Sequence, residues 1–414
     1  MRTFIPFLLG VAVVLVLFLA ASPVHEDRLY GRVTTQAGDV YEGFIRWDKN
    51  EASWVDVLDG SKQVERTRHR ADRQERRRTM RIFGFEFEFD EEDFRSGTSS
   101  RSAGIRFGHI RRLENTRRDR ALLTLRSGQE IELRGGASDI GSSNRGILVD
   151  DEDRGTRELR WRDIDGIDFM PVPRNARPSK STGTRLYGTL TTRDGQSFTG
   201  YICWDVDEVL AEDILDGEDE HGRDREIAFA EITSIGRNNA RSARVLLRSG
   251  ETVVLHGSND VNRSNRDILV LDPSLGQVRV PWEAFGAVTF KDADYTYSYD
   301  RFFTSGPLVG TVETQDGDKF TGAIRWDDDE AYTWEMLDGN MGDLDFDIEM
   351  GFIRRIERTS SRESRVTLLD DRAFVLRGSN DVNSENNGIY VVYEDGDTER
   401  IDWDDFKGVT FEKP

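Results

Sequence analysis

LYGTLTTRDGQSFTGYICWDVDE, residues 186–208, decides the fold class of this chain. Polar and apolar residues alternate on both sides of Asp194-Gly195. Alternation about an Asp-Gly pair is typical of two antiparallel strands joined by a tight turn. The whole chain has 38 glycines and nine prolines, a composition that fits a turn-rich β protein better than a helical one. The sequence therefore predicts an all-β protein.

The same stretch occurs three times in the 414 residues. LYGRVTTQAGDVYEGFIRWDKNE occupies 29–51 and LVGTVETQDGDKFTGAIRWDDDE occupies 308–330. A second block begins at Leu133, Leu255 and Leu376, and each copy closes on a tryptophan segment. The closing residues Trp161, Trp282 and Trp403 are evenly spaced, because 282 − 161 and 403 − 282 both equal 121. Such self-similarity predicts three tandem β repeats of about 120 residues.

The repeats set the expected domain boundaries. Copy 1 is assigned to 29–170, with an insertion at 63–103 that the other copies lack, copy 2 to 185–291 and copy 3 to 308–414. The linker 171–184 is polar and contains prolines, which predicts a semi-extended spacer. The linker 292–307 is aromatic, and we expect it to pack on a neighbouring copy. In the insertion, phenylalanine and glutamate alternate over 85–89, which predicts a strand.

Each copy also divides into two weaker halves. Both halves open with a hairpin, and both close with apolar residues spaced three apart, as in IRFGHIRRL and LRWRDIDGI. That spacing predicts one tight helical turn between two strands. The run from Gly188 through Asp194-Gly195 and Gly200 to Asp205 resembles the first Sm motif. The resemblance to SH3-like and Sm-like small barrels implies two such barrels per copy, and it implies no function or residue role.

The N-terminus, 1–24, has an unbroken apolar run from Phe4 to Ala21 behind Arg2. This pattern is typical of a signal peptide or a membrane anchor. Ala20 and Ser22 favour cleavage, whereas the length of the run, roughly 18 residues, suffices to span a bilayer. Both alternatives predict an exported protein that is periplasmic, extracellular or anchored by this segment, with its bulk outside the cytoplasm.

Charge and cysteine content exclude several classes of function. The chain carries 78 acidic and 57 basic residues, a net charge of −21. Such a surface repels phosphate backbones, so we expect no nucleic-acid partner. A single cysteine, Cys203, excludes an internal disulfide framework and a multi-cysteine zinc site.

A recurring polar loop contains the metal candidates. It offers oxygen ligands of the type that calcium prefers, at Asp260, Asn262, Asn265, Asp381, Asn383 and Asn386. The spacing does not match the helix–loop–helix calcium loop. We therefore favour turn chemistry. The aspartates are expected to accept N–H groups of their own loops, with Asn265 and Asn386 bracing the following strand.

Other recurring residues are interpreted as structural. An aspartate and a glutamate follow a tryptophan at 47–51, 204–208 and 326–330, where we expect turn caps rather than catalytic acids. Trp161, Trp282 and Trp403 are predicted to lie in the core. The histidines share no common neighbour, so no catalytic triad is proposed. Arg76, Arg77 and Arg78 of the insertion are candidates for docking to an acidic partner or anionic lipid, the alternative being a solvated segment.

These observations predict a non-enzymatic exported scaffold or multivalent binding module. Repetition without catalytic asymmetry favours binding through avidity, to a protein or glycan partner in the cell envelope. No cofactor is expected, the membrane is contacted only through the N-terminal segment, and the oligomeric state stays open. Two alternatives remain. One is a glycan-acting or other hydrolytic enzyme that uses carboxylates not paired by sequence. The other is a calcium-stabilised adhesive module.

Overall fold

The computed structural model describes residues 25–64, 77–82, 85–90, 99–135, 139–293 and 297–414. Within these ranges the protein is all-β, as predicted, with antiparallel strand pairs and helices that are single 3₁₀ turns. The predicted signal or anchor, 1–24, lies outside them. In the part of the chain described, no helix has the length and apolar character needed to cross a bilayer.

Copy 1 contains the strands β1 to β12. Their bounds are β1 Tyr30–Thr35, β2 Val40–Arg46, β3 Val57–Val64, β4 Arg77–Ile82, β5 Phe85–Asp90, β6 Ser99–Arg106, β7 Ile110–Arg117, β8 Arg120–Leu125, β9 Glu130–Arg134, β10 Ile147–Asp151, β11 Gly155–Leu159 and β12 Ile164–Phe169. The predicted strand of the insertion is β5, which pairs with β4. The 3₁₀ turns are Phe107–His109 and Trp161–Asp163.

Copies 2 and 3 contain β13 to β32. In copy 2 these are β13 Tyr187–Thr192, β14 Ser197–Cys203, β15 Ile214–Glu218, β16 Asp224–Ala228, β17 Ile232–Asn239, β18 Ser242–Leu247, β19 Thr252–His256, β20 Ile268–Asp272, β21 Gly276–Val280 and β22 Phe285–Phe290. In copy 3 they are β23 Val309–Thr314, β24 Lys319–Arg325, β25 Met336–Met341, β26 Leu344–Glu349, β27 Ile353–Arg358, β28 Glu363–Leu368, β29 Ala373–Arg377, β30 Ile389–Val392, β31 Thr398–Ile401 and β32 Phe406–Phe411. The 3₁₀ turns of these copies and of the linkers are Lys180–Thr182, Phe229–Glu231, Asn259–Val261, Tyr299–Arg301, Met350–Phe352 and Asn380–Val382.

The hairpin that decides the fold class forms as predicted. Gly195 has φ +85°, a left-handed value that suits glycine at this turn. Gly188 and Gly200 face each other in β13 and β14. A Cβ on Gly188 would lie 2.6 Å from the carbonyl oxygen of Thr289, so the glycine lets β22 approach closely.

The two halves of a copy are interleaved rather than consecutive. The sheet of copy 1 has the order β11-β10-β2-β1-β12-β7-β8-β9-β3-β6. The first-half hairpin β1–β2 thus joins β10, β11 and β12 of the second half, and the second-half hairpin β8–β9 joins β3, β6 and β7 of the first. The pairings of copies 2 and 3 follow the same order. Strands of the two halves therefore pair with one another within each copy, and in copy 1 they form a single sheet.

The three copies contact one another pairwise. β21 of copy 2 pairs with β26 of copy 3, which merges their sheets. Between copies 1 and 2, the buried Arg185 guanidinium lies 2.5 Å from the Asp56 carboxylate, and Cys203 packs into the core of copy 1. Between copies 1 and 3, Lys62 Nζ lies 2.6 Å from Glu335 Oε1.

All three copies meet at a buried charged node. Arg106 of copy 1 donates to the carbonyl oxygens of Asp272 and Pro273 in copy 2. Its Nε lies 3.3 Å from Oε2 of Glu349 in copy 3, and neither side chain is exposed to solvent. Glu349 Oε1 also lies 2.9 Å from Nε2 of the buried His109. These contacts fix the copies relative to one another.

Both linkers are docked onto copy 1. In 171–184, the hydroxyl of Thr182 donates to Asp150, so this segment is more than a spacer. In 292–307, Tyr299 and Phe302 are buried, and the Tyr299 hydroxyl donates to the carbonyl of Ile110. A Cβ at Gly108 would lie 2.3 Å from the Phe302 ring, so this glycine admits the aromatic linker. The packing of 292–307 on a neighbouring copy is confirmed.

Candidate functional site

Each first hairpin is followed by a short turn from a tryptophan to a glutamate. In copy 1 the N–H groups of Asn50 and Glu51 donate to the carbonyl oxygen of Trp47 at 3.1 and 3.0 Å. Asp48 and Lys49 have φ values of +43° and +69°, a conformation that aspartate tolerates. Positive φ also occurs at Asp205, Val206, Asp327 and Asp328. The turn thus places an aspartate and a glutamate side by side in each copy.

The tryptophan of this turn forms a hydrogen bond with the second recurring block, which begins at Leu133, Leu255 and Leu376. In each copy its indole Nε1 donates to the backbone oxygen of the block's aspartate. The three bonds are Trp47 to Asp139 at 3.1 Å, Trp204 to Asp260 at 2.9 Å and Trp326 to Asp381 at 3.0 Å. The two motifs that the sequence presents separately therefore meet in space.

The carboxylates of Asp260 and Asp381 bond to neighbouring strands. Asp260 Oδ2 accepts the N–H of Asp216 on β15 at 2.8 Å. Asp381 Oδ2 accepts the N–H of Asp338 on β25 at 2.7 Å. The prediction that these carboxylates accept N–H groups of their own loops is wrong, because the loop folds back over the strand and a serine hydroxyl caps its 3₁₀ turn instead.

The asparagines of the block perform turn chemistry. Asn265 Oδ1 accepts the N–H of Asp267 at 3.1 Å, directly before β20, and Asn386 Oδ1 accepts the N–H of Gly388 at 3.0 Å, directly before β30. Both brace the following strand as expected. The remaining two also serve their own turns: Asn262 Oδ1 accepts from Ser264 and Asn383 Oδ1 accepts from Glu385, each at 2.7 Å.

Three carboxylates converge in each copy. One oxygen from each member lies within 4.8 Å of the others in the clusters Asp48, Glu51, Asp139; Asp205, Glu208, Asp260; and Asp327, Glu330, Asp381. We call these the carboxylate clusters of copies 1, 2 and 3. Asp260 and Asp381 are sequence candidates for metal binding. The glutamates, which the sequence suggested as turn caps, belong to the same sites.

The glutamate of every cluster has a buried oxygen, Oε2, without a hydrogen-bond partner. This applies to Glu51, Glu208 and Glu330, and the residues Glu51 and Glu330 are each only 7% exposed. Burial, together with repulsion from Asp139, raises the pKa of Glu51 well above its usual range. Burial and repulsion from Asp260 raise the pKa of Glu208 to about 9. A buried ionised carboxylate without a partner is unfavourable, so each oxygen calls for a proton or a cation.

The counter-charge of the cluster differs between copies. In copy 1, Arg145 Nε lies 3.1 Å from Asp48, and in copy 2 Arg266 lies 2.7 Å from Asp205. Copy 3 has Asn387 at this position, and its amide donates to Asp327. A cation reaches the copy 3 cluster from copy 1 instead, since Lys62 Nζ lies 3.8 Å from Glu330. Sequence reasoning missed Lys62, although the replacement of arginine by Asn387 was a visible signal.

The cluster of copy 3 opens into a cleft where the three copies meet. The cleft has a volume of about 840 Å³. Copy 1 contributes Asp59 and Lys62, copy 2 contributes Arg279, and copy 3 contributes most of the acidic residues. Among the described residues, nine carboxylates line it, namely Asp59, Asp329, Glu330, Glu335, Asp338, Asp345, Asp347, Asp381 and Glu385, against the cations Lys62 and Arg279. We call it the acidic cleft.

The proton affinity of the cleft carboxylates is raised. Partial desolvation by the cleft walls, followed by repulsion from Asp347 and a hydrogen bond with it, raises the pKa of Asp338 to about 7. Partial desolvation also raises the pKa of Asp347, against the opposing effect of Arg279. Asp59 faces the same pair and its pKa is raised too, by desolvation and by repulsion from Asp139 and Asp347. A cation that enters the cleft would therefore compete with protons for these carboxylates.

The other candidate residues lie elsewhere. Trp161, Trp282 and Trp403 are buried, 2%, 1% and 4% exposed, so they are core residues as predicted. Arg76 lies outside the described residues, and Arg77 and Arg78 begin β4, paired through the backbone with β5. Docking by these arginines stays a prediction.

Comparison of the chain with protein-family models, curated proteins and solved structures finds no match.

Proposed function

We propose that this chain is a non-enzymatic, exported binding scaffold whose acidic cleft holds a basic segment of a partner protein in the cell envelope. The three copies act as structural repeats, each built from two interleaved SH3-like barrels. The observation that carries the proposal is the charge of the cleft, where the part of the chain that the structure describes places nine carboxylates against two basic side chains in one cavity. Such a cavity focuses a negative potential that attracts cationic partners.

Lys62 shows how the cleft accommodates an ammonium group. Its Nζ donates to Glu335 Oε1 at 2.6 Å and to the backbone oxygen of Asp329 at 2.8 Å, and Glu330 is 3.8 Å away. These contacts raise the pKa of Lys62 even though burial opposes the charge. Further lysine or arginine side chains from a partner meet the same kind of surface along Asp59, Asp345 and Glu385.

Export rests on the apolar N-terminal run, which precedes the described residues. Avidity takes a specific form in this fold. Instead of three equal binding surfaces, the copies combine into one cleft, because they contact each other around Arg106 and Glu349. Glycans remain a partner class for other faces of the molecule, whereas the cleft favours positive charge.

A hydrolytic enzyme is the second candidate, and the Asp338–Asp347 pair is the observation that favours it. The two carboxyl groups share a hydrogen bond and both have raised pKa values. Such a pair can act as a combined acid and base on water, although it is closer than the roughly 5 to 9.5 Å that separates the two carboxyls of glycosidases. The wild-type chain would be tested for hydrolysis of peptide or glycan libraries. Activity that Asp338→Asn abolishes would support the enzyme and contradict the scaffold.

The test is a titration of the full-length chain with a short lysine- and arginine-rich peptide by calorimetry. The cleft variant combines Asp59→Asn, Asp345→Asn and Glu385→Gln. A matched control removes the same charges from exposed sites outside the cleft, with Asp153→Asn, Asp397→Asn and Glu394→Gln. We expect the cleft variant to weaken binding at least about tenfold, and the control less than about threefold. Equal losses in both variants would show non-specific attraction and contradict the proposal.

A further inference from the structure

We propose that the three carboxylate clusters are divalent-cation sites, one in each copy, that bind Ca²⁺. The geometry brings three carboxylates together in each case, with one oxygen of each within 4.8 Å of the others. A separate observation points to a missing ligand. The glutamate oxygen of every cluster is buried without a hydrogen-bond partner, at Glu51, Glu208 and Glu330.

The recurrence of this unpartnered oxygen argues for a built site. An isolated buried polar atom can be a local accident, but the same atom is unpartnered in three stretches of different sequence, KNE, VDE and DDE. Native proteins leave few buried polar atoms unsatisfied, and each exception calls for an explanation, of which a bound ion is one. Glu51 and Glu330 are more than nine-tenths buried.

The charge of the copy 2 cluster fits a divalent ion. Asp205, Glu208 and Asp260 contribute three negative charges when ionised, and Arg266 contributes one positive charge at 2.7 Å from Asp205. The sum is −2, which one divalent cation neutralises. Arg145 takes the equivalent place in copy 1 and Lys62 approaches the cluster in copy 3.

The ligand chemistry selects calcium among the common divalent ions. All donors are carboxylate oxygens, which hard cations prefer, and the clusters contain no sulfur or imidazole donor. Mg²⁺ gives up its water reluctantly, whereas Ca²⁺ accepts bidentate carboxylates in irregular geometry. Water from the cleft can complete the coordination shell in copy 3, where Glu330 and Asp381 line the cavity.

The neighbouring tryptophan supplies a direct readout. Trp47, Trp204 and Trp326 each donate an indole N–H to the backbone of a cluster aspartate at 2.9–3.1 Å. A Tb³⁺ ion in place of Ca²⁺ would lie close enough to these rings for sensitised luminescence. Excitation of tryptophan then reports ions at the clusters or in the acidic cleft, which Trp334 also lines, and the cleft variant Asp59→Asn, Asp345→Asn, Glu385→Gln separates the two.

The experiment uses the full-length chain, first stripped with chelator. We expect about three Ca²⁺ per chain by calorimetry, tryptophan-sensitised Tb³⁺ emission that Ca²⁺ reverses, and a melting temperature that rises with millimolar Ca²⁺, because a ligand of the folded state stabilises it. Glu51→Gln should lower the stoichiometry to two. The triple variant with Glu208→Gln and Glu330→Gln should bind none and lose the Tb³⁺ signal.

Two results would overturn the inference. One is the absence of Ca²⁺ and Tb³⁺ binding in the stripped wild-type chain, with the glutamine variants equally stable or more so, which would identify the glutamates as protonated acids. The other is wild-type stoichiometry in the triple glutamine variant, which would place the ions elsewhere. The inference stands apart from the proposed function: the cleft variant Asp59→Asn, Asp345→Asn, Glu385→Gln should keep all three ions while it loses the basic peptide.

Discussion

The carboxylate clusters of copies 2 and 3 have the same turn, the same tryptophan contact and different counter-charges. In copy 2, Arg266 from the same copy pairs with Asp205. In copy 3, Asn387 stands at the arginine position and Lys62 arrives from copy 1. Copy 2 completes its cluster locally, whereas copy 3 depends on the packing of another copy. Contacts inside a copy therefore recur from copy to copy. Contacts between copies differ, and they make the molecule asymmetric and produce the cleft.

The largest effect should come from breaking the between-copy node. Glu349→Ala leaves the fully buried Arg106 without its carboxylate, and an unpaired buried charge costs roughly 3–5 kcal/mol. We expect a correspondingly lower urea midpoint. Glu349→Gln retains hydrogen bonding and should lose less. A Glu349→Ala variant as stable as wild type would show that the node does not hold the copies together.

The tryptophan contact within each copy should respond alike in copies 2 and 3 and more weakly in copy 1. Trp47→Phe, Trp204→Phe and Trp326→Phe each remove an indole N–H that donates to a buried backbone oxygen. Leaving the Asp260 or Asp381 oxygen unsatisfied costs about 1–3 kcal/mol, whereas the Asp139 oxygen keeps the Asn144 amide as a donor at 3.0 Å. Differential scanning calorimetry should show similar losses for Trp204→Phe and Trp326→Phe and a smaller loss for Trp47→Phe. A loss confined to one copy would contradict the equivalence of the turns.

Exchanging the counter-charge should sharpen the difference between copies 2 and 3. Lys62→Met removes the cation near Glu330 and Glu335, at a cost of about 1–3 kcal/mol. Asn387→Arg installs the arginine of copy 2 beside Asp327. In the Asn387→Arg background we expect Lys62→Met to cost about 1 kcal/mol less, measured by chemical unfolding. An unchanged cost would show that the two cations do not serve the same cluster.

The smallest effect concerns pH, and here it is followed for one pair in the cleft, Asp338 and Asp347. The pKa of Asp338 is raised to about 7 and that of Asp347 is raised as well, so the folded chain holds their protons more tightly than the unfolded chain, where the value is 3.8. The stability contributed by the protonated pair is complete below pH 4 and lost as pH rises toward about 7. With chelator present, Asp347→Asn should flatten this part of the pH profile of the melting temperature. An identical slope in wild type and variant would contradict the assignment.

The sequence could predict what is encoded locally. Alternation about Asp194-Gly195 gave the hairpin, and the spacing of three around Phe107 gave the 3₁₀ turn. It could not predict that the halves interleave, because β1 reaches β12 through pairings that no local pattern encodes. The convergence of Glu51 with Asp139 also depends on that exchange of strands.

The sequence could not predict the acidic cleft either, for a similar physical reason. Its residues lie far apart in the chain, as with Lys62 and Glu335, 273 positions from each other. Nothing in the neighbourhood of Lys62 indicates that it faces another copy. The aromatic linker was the exception, since the tyrosines and phenylalanines of 292–307 called for a surface to cover them.

Copies 1 and 3 contact each other across the acidic cleft through Lys62 and Glu335, and a double-mutant cycle on this pair measures that contact. Both side chains are largely buried and 2.6 Å apart. We expect Lys62→Met and Glu335→Gln to couple by about 1–3 kcal/mol in the free energy of unfolding. The exposed pair Arg32–Glu42, which lies within copy 1, should couple by less than about 1 kcal/mol. A coupling of zero between Lys62 and Glu335 would show that this contact does not join copies 1 and 3 at the cleft.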